Sequence, residues 1–382
     1  MEAIDFWIPT KVKFGVDVVN RIGGICKPYG DRVILVTEGI LHESGIIERI
    51  ESILEKNGLK VITFDEVVPG AMSNTIDDGT HLAKVAKADC IIGLGGVRAL
   101  CIARGIAMLS TNEGEIYDYF AELVQKEKGL PYIEIPSTTR NPFMFNDEFW
   151  TIDARNRDCR IVKLLPNFTR HIIIDPLISA TLPKRFSATT TIDTIAWAVD
   201  GFTSKKSNYI SDVMFKNALE LIFNNLSVLM NKPEDINART NLAMSGFLTG
   251  LGLSLSKPGI AAALSLVLNS KYQIPKSICT TILLTNVMDF NITAVPNKFV
   301  EIARLIGHDI NDLTIIEAAI KGIELIKKMI IEFDLPLRLD DFNMKKDDLI
   351  EVAEETRHLE MINYIPRPVS IEDLYNILEL AF

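Results

Sequence analysis

The chain has 382 residues, of which 48% are hydrophobic and 24% charged, and its formal net charge is −10. A chain of this length and composition can bury a sizeable core and usually forms two domains. The acidic balance argues against a nucleic-acid-binding surface, because neutralising phosphates requires clustered Lys and Arg that acids do not offset.

The chain start and the cysteines indicate a cytoplasmic protein with no membrane segment. The N-terminal residues 1–5 carry two acids and no basic stretch before an apolar run, so we expect no secretory signal. No uninterrupted apolar stretch is long enough to cross a bilayer. The five cysteines are odd in number and lack Cys-x-x-Cys spacing, which favours reduced thiols over disulfides or a zinc cluster.

Short β-rich runs alternate with helix-length segments in the first half of the chain. The predicted strands are residues 32–37, 60–64, 90–94, 132–136 and 171–176, and the predicted helices include residues 45–57 and 75–88. This order, with nearly continuous apolar strands, predicts a parallel sheet with helices on both faces. Ligands of such sheets bind beyond the carboxyl ends of the strands.

The second half is helical in character. Residues 211–230, 237–253 and 311–332 repeat apolar residues at a spacing of three and four, with almost no strand-like alternation. The sequence therefore predicts a Rossmann-like α/β domain over residues 1–180 and an all-helical domain over residues 181–382.

Short motifs occur in a fixed order over nearly the whole chain. They include Phe14-Gly15, Val36-Thr37-Glu38, Gly93-Leu94-Gly95-Gly96, Ile135-Pro136-Ser137-Thr138-Thr139, Val287-Met288-Asp289-Phe290-Asn291 and Pro366-Arg367-Pro368. This series resembles the iron-containing alcohol dehydrogenases. The resemblance implies the dehydroquinate synthase-like fold, an NAD(P) cofactor, metal-dependent oxidation of alcohols and a homodimer.

The family's metal is held by one Asp and three His, and the resemblance places these positions in the helical domain. The Asp corresponds to Asp193, and the His positions are occupied by Trp197, Ala262 and Lys276, with Leu266 at an additional His position. An indole has no lone pair to offer a metal. One carboxylate cannot replace four ligands, so we expect no metal. Asp193 is predicted to pair with the Lys276 ammonium; alternatively, it is an acid near a helix N-terminus.

Both loops that hold the cofactor in the family are altered. The motif G-G-G-S-x-x-D corresponds here to Gly95-Gly96-Val97-Arg98-Ala99-Leu100-Cys101, and P-T-T-x-G-T-G-S to Pro136-Ser137-Thr138-Thr139-Arg140-Asn141-Pro142-Phe143. Glycines matter in such loops because a Cβ obstructs the approach of backbone N–H groups to phosphate. The resemblance leaves Glu38, Gly95, Gly96, Arg98, Thr138 and Thr139 as degenerate cofactor-binding positions. We expect NAD(P) binding to be weak at best.

Three side chains in these loops have two interpretations each. Arg98 and Arg140 can hold a smaller phosphorylated or carboxylated molecule by bidentate hydrogen bonds, or they occlude the site or point to solvent. Cys101 is either a reactive thiol near a helix start or a buried, inert one.

The leading hypothesis is a catalytically degenerate homologue with a binding, regulatory or assembly role. The rival hypothesis is an enzyme with a remade, metal-independent site, in which Lys276 or Arg140 acts on an alcohol, an aldehyde or an anionic small molecule. A third hypothesis is a non-catalytic subunit that pairs with an active homologue.

Overall fold

The computed structural model describes residues 4–69, 72–121, 123–139, 141–180, 182–307 and 309–382. The chain divides into two compact units, unit 1 at Met1–Leu182 and unit 2 at Pro183–Phe382.

Unit 1 is built on a parallel sheet, as predicted. Its strands are β1 (Lys11–Phe14), β2 (Arg32–Thr37), β3 (Lys60–Phe64), β4 (Cys90–Gly95), β5 (Tyr132–Pro136) and β8 (Thr169–Ile174), in the order β1-β8-β5-β4-β2-β3. Strands β6 (Glu148–Ile152) and β7 (Cys159–Lys163) form a separate antiparallel hairpin. The sequence pattern did not predict β1 or this hairpin.

Six α-helices accompany these strands in the described part of unit 1. They are α1 (Ile22–Cys26), α2 (Ile46–Lys56), α3 (Ser73–Val85), α4 (Val97–Leu109), α5 (Asp118–Ala121) and α6 (Pro176–Ala180). Helix α2 buries Ile46, Ile47, Ile50 and Leu54, which recur at helical spacing and join the core beneath β2 and β4. Helix α4 directly follows β4, so the turn between them lies at the carboxyl edge of the sheet.

Unit 2 is helical, as predicted. Its α-helices are α7 (Lys184–Thr203), α8 (Tyr209–Asn231), α9 (Ile236–Leu255), α10 (Ile260–Tyr272), α11 (Lys276–Asn291), α12 (Pro296–Leu305), α13 (Ile315–Glu332), α14 (Leu349–Arg357) and α15 (Ile371–Leu380). In α7, all of residues 187–203 are buried, which is typical of a helix at the centre of a bundle. Small residues permit this packing: a Cβ on Gly201 would lie 2.4 Å from Cζ of Phe215 in α8.

None of the helices that the structure describes is, by itself, both long and apolar enough to cross a membrane. By length and composition alone, α9 and α10 pass that test as a pair bent by 104°.

Candidate functional site

Helices α7, α10 and α11 carry the four positions at which the resemblance places the metal ligands. Asp193 and Trp197 lie one turn apart in the middle of α7. Ala262 lies in the first turn of α10, Lys276 is the first residue of α11, and both helices pack against α7. Because α7 begins at Lys184, Asp193 is far from the helix N-terminus, and the alternative that placed it there is wrong.

The ammonium of Lys276 is surrounded by three groups. Its Nζ lies 2.9 Å from Oδ1 of Asp193, 3.3 Å from Oγ1 of Thr280 and 4.4 Å from the ring centroid of Trp197. The side chains of Lys276 and Asp193 are only 4% and 0% exposed, so water hardly screens their attraction. A buried charge needs a partner and hydrogen bonds, and the carboxylate, the hydroxyl and the indole face provide them. The structure thus contains the predicted ion pair.

The side chains at these positions do not fit a transition metal. Iron and zinc sites are built from several nitrogen, oxygen or sulfur ligands. Trp197 has no lone pair on its indole nitrogen, Ala262 has no polar side-chain atom, and Lys276 carries a positive charge beside Asp193. Among the described residues, no group of three or more His, Cys, Asp or Glu is placed to hold a metal ion.

Asp200 is a second buried carboxylate of α7 that was not predicted as a site residue. Its Oδ2 accepts the backbone N–H of Ala262 at 3.0 Å, so it satisfies a donor in the first turn of α10. Burial raises the pKa of Asp200 to about 6, although backbone hydrogen bonds and the charge of Lys276 oppose that rise. The available signal was its seven-residue spacing from Asp193, which is about two helical turns.

In unit 1, the structure brings four of the predicted cofactor positions together at the carboxyl edge of the sheet. Gly95 ends β4 with φ 148°, and a Cβ there would lie 2.8 Å from Cβ of Ala99. A Cβ on Gly96 would lie 3.5 Å from Oε1 of Glu38 and 3.8 Å from Cγ2 of Thr138. The turn therefore keeps the open backbone that a phosphate needs, but a carboxylate lies against it. The two residues that follow, Val97 and Arg98, replace the Gly and the Ser of the family's motif, and their side chains make the fit to a pyrophosphate poorer.

The remaining predicted positions are half-buried, buried or outside the described residues. Arg98 is half-buried in the first turn of α4, and Thr139 is half-buried after β5. Arg140 lies outside the described residues. Cys101 is 2% exposed, which favours the inert thiol over the reactive one, and all five cysteines are buried and outside disulfides.

The described histidines do not form a replacement site. His42 is exposed between Glu48 and Asp65, at 2.6 and 3.0 Å, and hydrogen bonds to these acids raise its pKa. His171 lies 3.0 Å from the hydroxyl of Tyr29, and burial lowers its pKa. His81 and His358 are exposed.

Two family descriptions match this chain and together cover most of it. Residues 9–169 match the family described as iron-containing alcohol dehydrogenase, and residues 187–382 match the Fe-containing alcohol dehydrogenase family, C-terminal.

Similar proteins match this chain over nearly its whole length, and a solved structure matches its fold. The 1,3-propanediol dehydrogenase of Klebsiella pneumoniae is 28% identical over 92% of this chain and 91% of that protein. The NAD-dependent methanol dehydrogenase of Bacillus methanolicus is 23% identical over 99% of both chains. A crystal structure of 1,3-propanediol oxidoreductase matches with a TM-score of 0.94 and 25% identity, over 100% of both chains.

Proposed function

The chain belongs to the iron-containing alcohol dehydrogenase family, and we propose that it is a member without the metal-dependent reaction, acting as a binding, regulatory or assembly component. The contact between Lys276 Nζ and Asp193 Oδ1, 2.9 Å long and buried, carries this proposal. It supplies a positive charge to the one carboxylate that remains from the family's ligand set. The ammonium can thereby take over the structural role of a metal ion, which is to balance the charge of Asp193 and link α7 to α11.

The loss of the metal removes a chemical function as well as a structural one. In metal-dependent hydride transfer, the ion polarises the oxygen of the alcohol or aldehyde. The ammonium of Lys276 is already hydrogen-bonded to Asp193 and Thr280 and lies on the Trp197 ring. We therefore assign it to holding the helices together.

The proposal includes weak NAD(P) binding. One relative is named as NAD-dependent and one solved structure as NADH-dependent. In this chain Gly95 and Gly96 are retained, but Val97 and Arg98 replace the Gly and the Ser that follow them in the family's motif. The alternative ligand is a small anionic molecule held by Arg98 and Arg140, the latter outside the described residues. We further propose a cytoplasmic homodimer, or a complex with an active homologue.

Metal analysis and cofactor titration of the purified full chain test the proposal. The protein is produced in medium with added iron and zinc, beside a metal-replete family member as control. We expect metal far below one ion per chain and NADH binding weaker than about 1 mM. Stoichiometric iron or zinc, or a micromolar dissociation constant for NADH, would overturn it.

The rival function is an enzyme in which the Lys276 ammonium polarises a carbonyl. The observation in its favour is that Lys276 retains a buried positive charge at the site. A screen of aldehydes with NADH separates the two functions. If turnover is found, and if Lys276→Ala abolishes it while circular dichroism shows an intact fold, the rival function is correct.

A further inference from the structure

Unit 1 contains a second buried ion pair, formed by Arg104 of α4 and Glu134 of β5. Their side chains are 1% and 0% exposed. Nε and Nη2 of Arg104 donate to Oε2 of Glu134 at 3.3 and 2.9 Å. This pair lies in a different unit from Asp193 and Lys276 and is independent of the function proposed above.

Each of the five N–H groups of the Arg104 guanidinium has an acceptor. Two of them bond to Glu134. The other three donate to the backbone carbonyl oxygens of Met144, Asn146 and Glu148, at 3.3, 2.8 and 2.9 Å. A guanidinium is the side chain that can reach so many acceptors at once, because its five donors lie in one rigid plane.

Three carbonyl groups of residues 141–148 accept hydrogen bonds from this donor. Residues 141–147 form no strand or regular helix, and Asn141 to Met144 are buried. A buried carbonyl group outside a regular hydrogen-bond ladder needs another partner, and Arg104 provides it for Met144.

Glu134 holds the beginning of the same segment. One of its oxygens accepts the side-chain amide of Asn141, and the other accepts the hydroxyl of Tyr132 at 3.2 Å. Oδ1 of Asn141 in turn accepts the N–H of Phe143 at 3.2 Å. The two charges therefore hold the segment 141–148 from both ends.

The pair lies close in sequence to the two loops of the predicted cofactor site. Helix α4 follows the Gly95-Gly96 turn, and the segment 141–148 follows the loop that leaves β5. The two loops are also linked directly, since the N–H of Ser137 donates to the carbonyl of Gly95 at 2.9 Å. Glu134 lies two residues before the end of β5, so the pair lies near the edge where parallel sheets bind ligands.

We propose that the Arg104–Glu134 pair is a positioning device that fixes the segment 141–148 before any ligand binds. Residues 141–148 are then preformed, and ligand binding at this edge needs no ordering of that segment. Charge-assisted hydrogen bonds to three carbonyl groups are strong enough to select one conformation.

Hydrogen exchange measured by mass spectrometry on the full chain tests this role. Arg104→Met removes all five donors, and Glu134→Gln removes the charge while keeping the shape. In both variants we expect peptides from residues 141–148 to exchange faster by about tenfold or more. Peptides from β2 should keep their wild-type exchange.

The control must separate local release from general destabilisation. Ile50→Ala creates a cavity in α2, on a fully buried residue that has no bond to the segment. Exchange is compared at urea concentrations that give equal global stability. If Ile50→Ala accelerates residues 141–148 as much as Glu134→Gln does, or if Glu134→Gln accelerates nothing locally, the proposal is wrong.

A double variant covers the case in which Arg104→Met does not fold. Arg104→Met with Glu134→Leu removes both buried charges, which proteins often tolerate better than the loss of one. Fast exchange of residues 141–148 in this folded double variant supports the positioning role. Wild-type protection of that segment overturns it.

Discussion

Asp193 and Asp200 lie seven residues apart on α7, and each binds the start of a different helix. Asp200 accepts the N–H of Ala262 at the start of α10, and Asp193 accepts the ammonium of Lys276 at the start of α11. Seven residues are about two turns, so both carboxylates lie on one side of α7. The two contacts hold α10 and α11 against α7.

Lys276→Met is expected to lower the free energy of unfolding by about 3–5 kcal/mol, because it leaves the buried Asp193 carboxylate without its charge partner. The side chain of Asp193 is 0% exposed, so water cannot take over that role. Urea unfolding followed by tryptophan fluorescence measures the loss.

An exposed pair and a double variant serve as controls. Lys328 lies 3.6 Å from Glu332 and its side chain is 71% exposed, so Lys328→Ala should change stability by about 1 kcal/mol or less. Asp193→Leu with Lys276→Met should be more stable than Lys276→Met alone, because no unpaired charge remains. Equal effects of Lys276→Met and Lys328→Ala would show that the buried pair does not hold the helices.

The carboxyl of Asp200 is expected to make unit 2 less stable as the pH rises from about 4 to 6. Its pKa in the folded chain is about 6, raised by burial from an ordinary 3.8. The folded state therefore binds more protons than the unfolded state between these values, and stability falls as the proton is lost. The full effect is about 3 kcal/mol.

Asp200→Asn isolates this effect, because the amide oxygen can still accept the N–H of Ala262 but does not titrate. The unfolding free energies of wild type and variant are measured at several pH values. As the pH rises to about 6, the wild type should lose stability relative to the variant. A difference that is constant across this range would show that Asp200 does not titrate there.

Most of the fold could be predicted because apolar runs and helical periodicity are local signals. Strand β1 could not, because it has only four residues and carries Lys11 and Lys13, as edge strands often do. The hairpin of β6 and β7 lacks a two-residue turn signal, since residues 153–158 connect its strands.

Parts of the site were predictable for a different reason. The pairing of Lys276 with Asp193 follows from residue types at positions that the family resemblance aligns. Asp200 has a backbone N–H as its partner, and no residue type marks such a partner in a sequence. Arg104 and Glu134 are thirty residues apart, and only the packing of α4 on β5 brings them together.

Gly95 and Gly96 should respond differently to replacement by Ala. Gly95 has a positive φ and a Cβ there would lie 2.8 Å from Cβ of Ala99, so Gly95→Ala should cost about 2 kcal/mol or more. Gly96 has φ −77°, and its nearest neighbour would be 3.5 Å away, so Gly96→Ala should cost about 1 kcal/mol at most. Thermal unfolding compares them. Equal losses would contradict the geometry of this turn.

Replacing Trp197, Ala262 and Lys276 together by His should give the chain a metal site with Asp193. The substitutions remove the ammonium from the carboxylate and supply three imidazoles, which suit Fe(II) and Zn(II). We expect about one ion per chain by elemental analysis and a melting temperature that rises when the metal is added. The same variant with Asp193→Ala is the matched control and should bind much more weakly. If the triple variant folds but gains no metal, the four positions do not converge on a metal site in this chain.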